Sequence, residues 1–168
     1  MKLGEGVEQA IHSTLLLAGL DRDGVLPATA LAEFHGVSAS YLLKHLQALT
    51  NAGILASVPG PKGGYRLARA PAAISLLDIV LALEGSAPAF RCAEIRKQGP
   101  NPLDSQFFAR PCAVNVAMLR AEQSYRAELR KVSLADLRTD PATPLGAAIE
   151  ARGCAFLEQR QRRSTSTP

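Results

Sequence analysis

The stretch from Val37 to Leu67, VSASYLLKHLQALTNAGILASVPGPKGGYRL, restricts what this chain can fold into more than any other. Ser38 is a good helix N-cap, because its hydroxyl can accept a bond from an otherwise unpaired N–H of the first turn. Leu42, Leu46 and Leu49 then recur at i, i+4 and i+7, which predicts a helix with one apolar face against a core. Tyr41, Lys44, His45 and Ala48 occupy the other side. Gly53 closes the helix. Ile54–Val58 and Tyr65–Leu67 are β-like runs on either side of GPKGG, which predicts a hairpin with a flexible tip. A helix followed at once by a hairpin is the plan of a recognition helix and its wing.

The flanking segments supply a scaffold. Glu5 to Leu20 reads as a helix, with Val7, Ile11, Leu15 and Ala18 on one face. DRDG at Asp21–Gly24 predicts a turn. Pro27 can open a second helix, given an apolar side by Ala30, Leu31 and Phe34 and ended by Gly36. A fourth helix is expected over Ser75–Glu84, with Ser75 and Asp78 in capping-box spacing. Gly85 to Pro111 is long and Pro-rich, the character of a functional or disordered loop. From Cys112 to about Val132 the pattern is one long helix carrying Val116, Leu119, Tyr125 and Leu129. That helix is too long to bury fully on so small a domain, so a partner helix is expected against it. SLADL at Ser133–Leu137 predicts a further short helix, and the tail QRRSTSTP reads as disordered. No internal repeat is evident.

Composition narrows the function. The net charge of +4 and a pI near 9.2 suit a polyanionic partner. No apolar run approaches the roughly 18 residues that a membrane span needs. MKLGEGVEQAIH is polar and acidic where a signal peptide would be apolar, so a cytoplasmic protein is expected. Cys92, Cys112 and Cys154 would then sit in a reducing compartment, where a ligand or redox role is favoured over a structural disulfide. No nucleophile motif, phosphate loop or HExxH pattern occurs, and an enzyme is not expected.

Two helices joined by a tight turn can place the second in a DNA major groove, its N-terminal turn towards the bases. The expected contacts on that helix are Ser38, Ser40, Tyr41, Lys44 and His45, with Lys44 able to reach a guanine acceptor or a phosphate. The wing tip offers Lys62, Arg66 and the backbone N–H groups of Gly63 and Gly64 for phosphate or minor-groove contact. The bland alternative is that Lys44 and Lys62 are ordinary solvated charges.

MKLGEGVEQAIH, VSASYLLKHLQAL, GPKGGYRLAR, SLLDIVLALEG and SLADL, taken together and in this order, resemble the Rrf2 family of bacterial transcriptional regulators. The resemblance runs from Met1 to about Leu137. It implies a mainly α fold with a small β-wing: a winged helix-turn-helix DNA-binding domain plus a long dimerisation helix. It implies a homodimer on a palindromic operator in double-stranded DNA. The expected division is residues 1–84 for the DNA-binding domain, 85–111 for a sensor loop, 112–137 for the dimerisation helix and the short helix after it, and 138–168 for a C-terminal extension. Pro59 is a departure: members often carry a basic residue there, which leaves Lys62 to do part of that work.

Many members of the family hold an iron–sulfur cluster through three cysteines in the loop before the long helix. This chain has two there, Cys92 and Cys112, which cannot fill the four protein ligand positions of a [2Fe–2S] centre. Glu8 and His12 lie one turn apart on the first helix, so both side chains can point at one metal. In cluster-bearing relatives a ligand can come from the first helix of the partner subunit. The expected cofactor is therefore a [2Fe–2S] cluster with mixed ligation across a dimer, Cys92 and Cys112 on one iron and Glu8 and His12 on the other. An imidazole ligand would raise the reduction potential, and protonation of His12 could couple to the redox step. The alternatives are a thiol–disulfide switch between Cys92 and Cys112, inert thiols, or a surface Glu8–His12 pair. Cys154 reads as structural or incidental, with a third ligand from there left open; His35 reads as a turn residue, and His45 as a DNA-facing or packing residue rather than a ligand.

The expected function is a redox-responsive regulator, most simply a repressor. Its first rival is a cluster-free regulator of the same fold, controlled by a thiol switch, a small molecule or a partner protein. A second is a winged-helix domain used only for protein contacts.

Overall fold

A computed structural model describes residues 3–163. Helix α1, Glu5–Leu17, leads into a turn and a two-residue strand β1, Gly24–Val25. Helices α2, Ala28–His35, and α3, Ala39–Asn51, follow, then strands β2, Leu55–Val58, and β3, Gly64–Leu67. Helix α4, Leu76–Glu84, precedes an irregular loop with 3-10 turns at Ile95–Lys97 and Ser105–Phe108. Helix α5, Ala113–Lys131, helix α6, Pro144–Arg160, and strand β4, Arg162–Arg163, complete the chain.

The leucine stripe of α3 does what its spacing predicts. Leu42, Leu46 and Leu49 have no solvent exposure, and each buried leucine is worth about 1.5–3 kcal/mol. They meet Ala10 and Leu17 of α1, Leu31 of α2, Ile79 of α4 and Ile54 in one core. Gly36 turns α2 into α3: its left-handed backbone (φ 66°) lets the N–H groups of Gly36 and Val37 donate to Glu33 and Ala32. The wing pairs β2 with β3 antiparallel, Leu55 opposite Leu67 and Val58 opposite Gly64. Leu26 and Tyr65 exchange backbone bonds of 3.0 and 2.8 Å, so β1 lies along the far side of β3. At the start of α4 the capping box forms as expected, Ser75 and Asp78 each accepting from the other's backbone N–H.

Three expectations at the level of elements need correction, and one helix was not foreseen. Helix α1 ends at Leu17, and Leu20 lies beyond it. SLADL is a turn and not a helix. Its backbone is spent on the segment before α4, with Leu134 N–H donating to Ile74 and Leu76 N–H to Val132, and fully buried Leu134 plugs the core. That pairing outweighs the local helix signal of Ser133 and Asp136, whose mutual bonds close only one turn. The C-terminal extension contains a seventeen-residue helix, α6, that its sequence did not announce as an amphipathic stripe. The tail read as disordered begins with an ordered strand, Arg162–Arg163, paired antiparallel with β1; residues 164–168 lie outside the described residues.

Candidate functional site

The outer face of α3 begins with four exposed polar residues, Ser38, Ser40, Tyr41 and Lys44. Ser38 is the N-cap by position, but its hydroxyl makes no cap bond. It lies 3.0 Å from the hydroxyl of Ser40 instead, leaving both at the surface. Tyr41 and Lys44 are exposed beside them. His45, read as either DNA-facing or packing, takes the packing role. Its ring sits directly on Gly6 of α1, where a Cβ would come within 2.3 Å of it, and it meets Tyr41 edge-on at 4.7 Å. Burial, and then Lys44, hold its pKa below the ordinary value, partly offset by Glu84. His45 therefore packs α3 on α1 and orients Tyr41.

At the wing, Lys62 is exposed and Arg66 half-buried. Among the described residues, Lys44, Lys62 and Arg66 have no carboxylate within 4.0 Å, so their charge is uncompensated locally. The two glycines have a different role from the one expected. The Gly63 N–H is already spent on Gly60 at 2.9 Å and the residue is buried. A Cβ on Gly63 would lie 2.0 Å from the Val58 carbonyl, and one on Gly64 2.6 Å from Leu26. They are glycines because backbone passes against backbone.

The second candidate site lies at the N-terminus of α5. Cys92, Glu94 and Cys112 bring one ligand atom each within 4.8 Å of one another. Cys112 is the N-cap of α5 by position, with no side-chain cap bond; the backbone N–H groups of Asn115 and Val114, with Arg96 nearby, lower its pKa. Glu94 has a left-handed backbone (φ 47°), uncommon for a residue with a side chain. Both its carboxylate oxygens are taken by Arg96, one at 2.8 Å, and this ion pair lowers the carboxyl pKa. Arg96 and Lys97 in turn lie over the Phe108 ring. The loop is pinned to α5 at its start: Ala89 N–H donates to Glu122, and Arg126 donates to the carbonyls of Ser86 and Ala87.

The structure thus brings Cys92 and Cys112 together, as their positions suggested, and adds Glu94, which the sequence reading missed. Glu8 and His12 of the same chain do not join this group; both are exposed on one face of α1. His35, expected in a turn, is the last residue of α2 and half-buried, its ring 6.1 Å from that of His12. Burial, followed by His12 and Arg152, lowers its pKa. Cys154 is exposed on α6 and apart from the other two thiols. As a donor set, two thiols and a carboxylate at a helix N-terminus suit a thiophilic metal, and they hold at most part of a four-ligand cluster.

The family model Rrf2, described as an iron-dependent transcriptional regulator, matches residues 3–140. The Lactococcus lactis protein YffB, named as an HTH-type transcriptional regulator, is 34% identical over 137 residues, covering 82% of this chain and 86% of its own. Among solved structures, CymR of B. subtilis, described as a global cysteine regulator, superposes with a TM-score of 0.64 at 25% identity, covering 83% of this chain and 99% of its own. IscR of T. potens superposes at 0.60 and 25% identity, covering 90% of each chain.

Proposed function

The chain belongs to the Rrf2 family of transcriptional regulators, winged-helix proteins and not enzymes, and on that premise we propose that it is a redox-responsive repressor whose sensor is a [2Fe–2S] cluster. The grouping of Cys92, Glu94 and Cys112 at the α5 N-terminus carries this reading. Arg96 occupies the Glu94 carboxylate, so the two thiolates are the free donors. They would hold one iron. Glu8 and His12, exposed one turn apart on α1, would hold the other from a second copy of the chain. Bound there, the cluster supplies one-electron chemistry. The chain's own contribution would be to lower the Cys112 pKa at the α5 N-terminus and to present two donor pairs on surfaces that face different copies.

A dimer has an obvious seam. No residue of α5 is buried, and Val114 and Met118, one turn apart on one face, are 60% and 44% exposed. A second α5 against that face would bury apolar area and bring two α3 helices to half-sites about one DNA turn apart, on a palindromic operator. Ser38, Ser40, Tyr41 and Lys44 would contact base edges, with Lys62 and Arg66 on phosphates. No helix among the described residues is long and apolar enough to cross a membrane. The regulator would act in the cytoplasm, where the DNA is.

Protein purified without oxygen should be red-brown, contain two irons per chain and shift its visible spectrum in an E8A/H12A double variant. Colourless, iron-free protein removes the cluster; an unchanged spectrum in the double variant removes the mixed ligation. A gel shift on the promoter upstream of its own gene tests repression, and salt-insensitive, sequence-blind binding in every redox state counts against it. The second reading is a thiol switch, favoured by the closeness of Cys92 and Cys112 and by the lowered Cys112 pKa. It expects no iron, and a Cys92–Cys112 disulfide formed by exchange with an oxidised thiol.

A further inference from the structure

Residues 141–163 lie beyond the segment matched by the family, yet they are bound tightly to the DNA-binding head. Leu157 of α6 is 5% exposed and enters the core. Phe156 packs on Phe34 at 4.9 Å, Arg152 stacks over the same ring at 4.2 Å and donates to the Phe34 carbonyl, and Arg160 pairs with Glu33 at 2.6 Å. All three grip the C-terminal half of α2. The chain then turns. The side chain of Gln161 bonds to the Asp21 backbone at 3.3 Å and to its carboxylate at 2.8 Å. Arg162 and Arg163 pair with Val25 and Gly24. The pair β4–β1 lies beside the pair β2–β3 of the wing, the two joined by the single bridge between Leu26 and Tyr65. The C-terminal segment supplies the outer strand of the first pair.

That strand is basic and reaches the wing tip. The Arg162 guanidinium donates to the Pro61 carbonyl at 2.8 Å, beside Lys62 in the chain. It borders a depression of about 400 Å³ between the wing and the start of α2, floored by Pro59, Gly60 and Tyr65, in which it is the one charged residue. Arg163 is exposed. Among the described residues neither arginine has a carboxylate within 4.0 Å, whereas Arg160, two residues earlier, has one. The extension thus neutralises the arginine that docks it and leaves Arg162, at the wing, and its exposed neighbour Arg163 without a carboxylate partner among the described residues.

We propose that the C-terminal strap is a second DNA-contact element: Arg162 and Arg163 extend the phosphate-binding surface of the wing beyond Lys62 and Arg66. The proposal rests on the reading of the chain as a DNA-binding regulator. It takes the DNA backbone as ligand, and it confers affinity without sequence preference, because phosphates carry no base information. It also compensates for Pro59, a wing position without charge.

Full-length wild-type protein is compared with R162A/R163A and R162K/R163K. Each is titrated over a series of salt concentrations with the promoter fragment upstream of its own gene and with a scrambled duplex of equal length. Thermal melts establish that all three are folded. The Ala variant should lower the slope of log K against log salt by roughly 0.9 for each lost contact, equally on both duplexes. The Lys variant should retain the wild-type slope. An unchanged slope in the folded Ala variant overturns the proposal. So does a Lys variant that loses slope as the Ala variant does, since the arginines would then serve only to hold the Pro61 carbonyl. A wild-type protein that binds neither duplex overturns the regulator reading itself, a different result from wild-type binding that the Ala variant leaves unaltered.

Discussion

The head of this molecule and its sensor arm obey opposite rules. In α3 three leucines are completely buried, and the elements around it supply all the apolar surface they need. In α5, nineteen residues long, none is buried, and Ile95, Leu103 and Phe107 of the preceding loop stand open as well. The head is complete within one chain. The arm has its thiols and its apolar face on display, which is what a surface awaiting a second copy and a ligand requires. On the proposed function, sensing would be separated from reading: the part that would hold a rigid shape against DNA is finished, and the part that would respond is left unsatisfied.

The largest test of this contrast is Leu46→Ala, which should remove about 2–5 kcal/mol from unfolding stability in a denaturant titration. Met118→Ala on the arm should cost the isolated chain no more than about 0.5 kcal/mol. Comparable losses would mean that the arm folds as part of the head. Next, V114D/M118D should weaken self-association at least tenfold, about 1.4 kcal/mol, in sedimentation, and leave the circular dichroism of the helices unchanged. Association that persists would place the seam elsewhere.

A smaller effect separates the sites chemically. The Cys112 thiol should alkylate several-fold faster near neutral pH than a cysteine in an unstructured peptide, and Arg96→Ala should remove only part of that gain, because Asn115 and Val114 are the larger causes. Peptide-like reactivity would deny the helix N-terminus its part in preparing the thiolate. The smallest effect concerns the head. The folded-state pKa values of His45 and His35 lie below the ordinary 6.5, so the unfolded chain binds protons first as pH falls. Stability should therefore decline as pH drops through about 6.5, and His45→Gln should flatten that decline in melts across pH. A decline unaltered in His45→Gln would assign the whole effect to other groups.

Legibility followed range. The Ser75–Asp78 capping box, the leucine stripe and the Gly36 and Gly53 turns were visible because each is written in adjacent residues whose dihedral and capping preferences act locally, whereas the Ser38 hydroxyl makes no cap bond. Even so, SLADL misled, since tertiary pairing with Ile74 and Leu76 outranked its propensity. Helix α6 was missed although Thr143 and Pro144 stand where an N-cap and a first helical residue belong, and Thr143 does accept from Gly146. Its apolar residues serve the head at one point and solvent at others, so no stripe formed. Cys92 and Cys112 were legible as a pair, while Glu94 was one acidic residue among fifteen Asp and Glu.

By itself, then, the sequence determined the recognition helix, the wing and the family to which they belong, because short-range periodicity and turn chemistry need no distant partner. Only the tertiary structure decided that His45 turns inward onto Gly6, that Arg96 occupies Glu94 beside two thiols, and that a basic strand from the end of the chain joins the wing. Each of these depends on backbones that pack across long stretches of chain, and such proximity is set by how elements fill space rather than by any local preference.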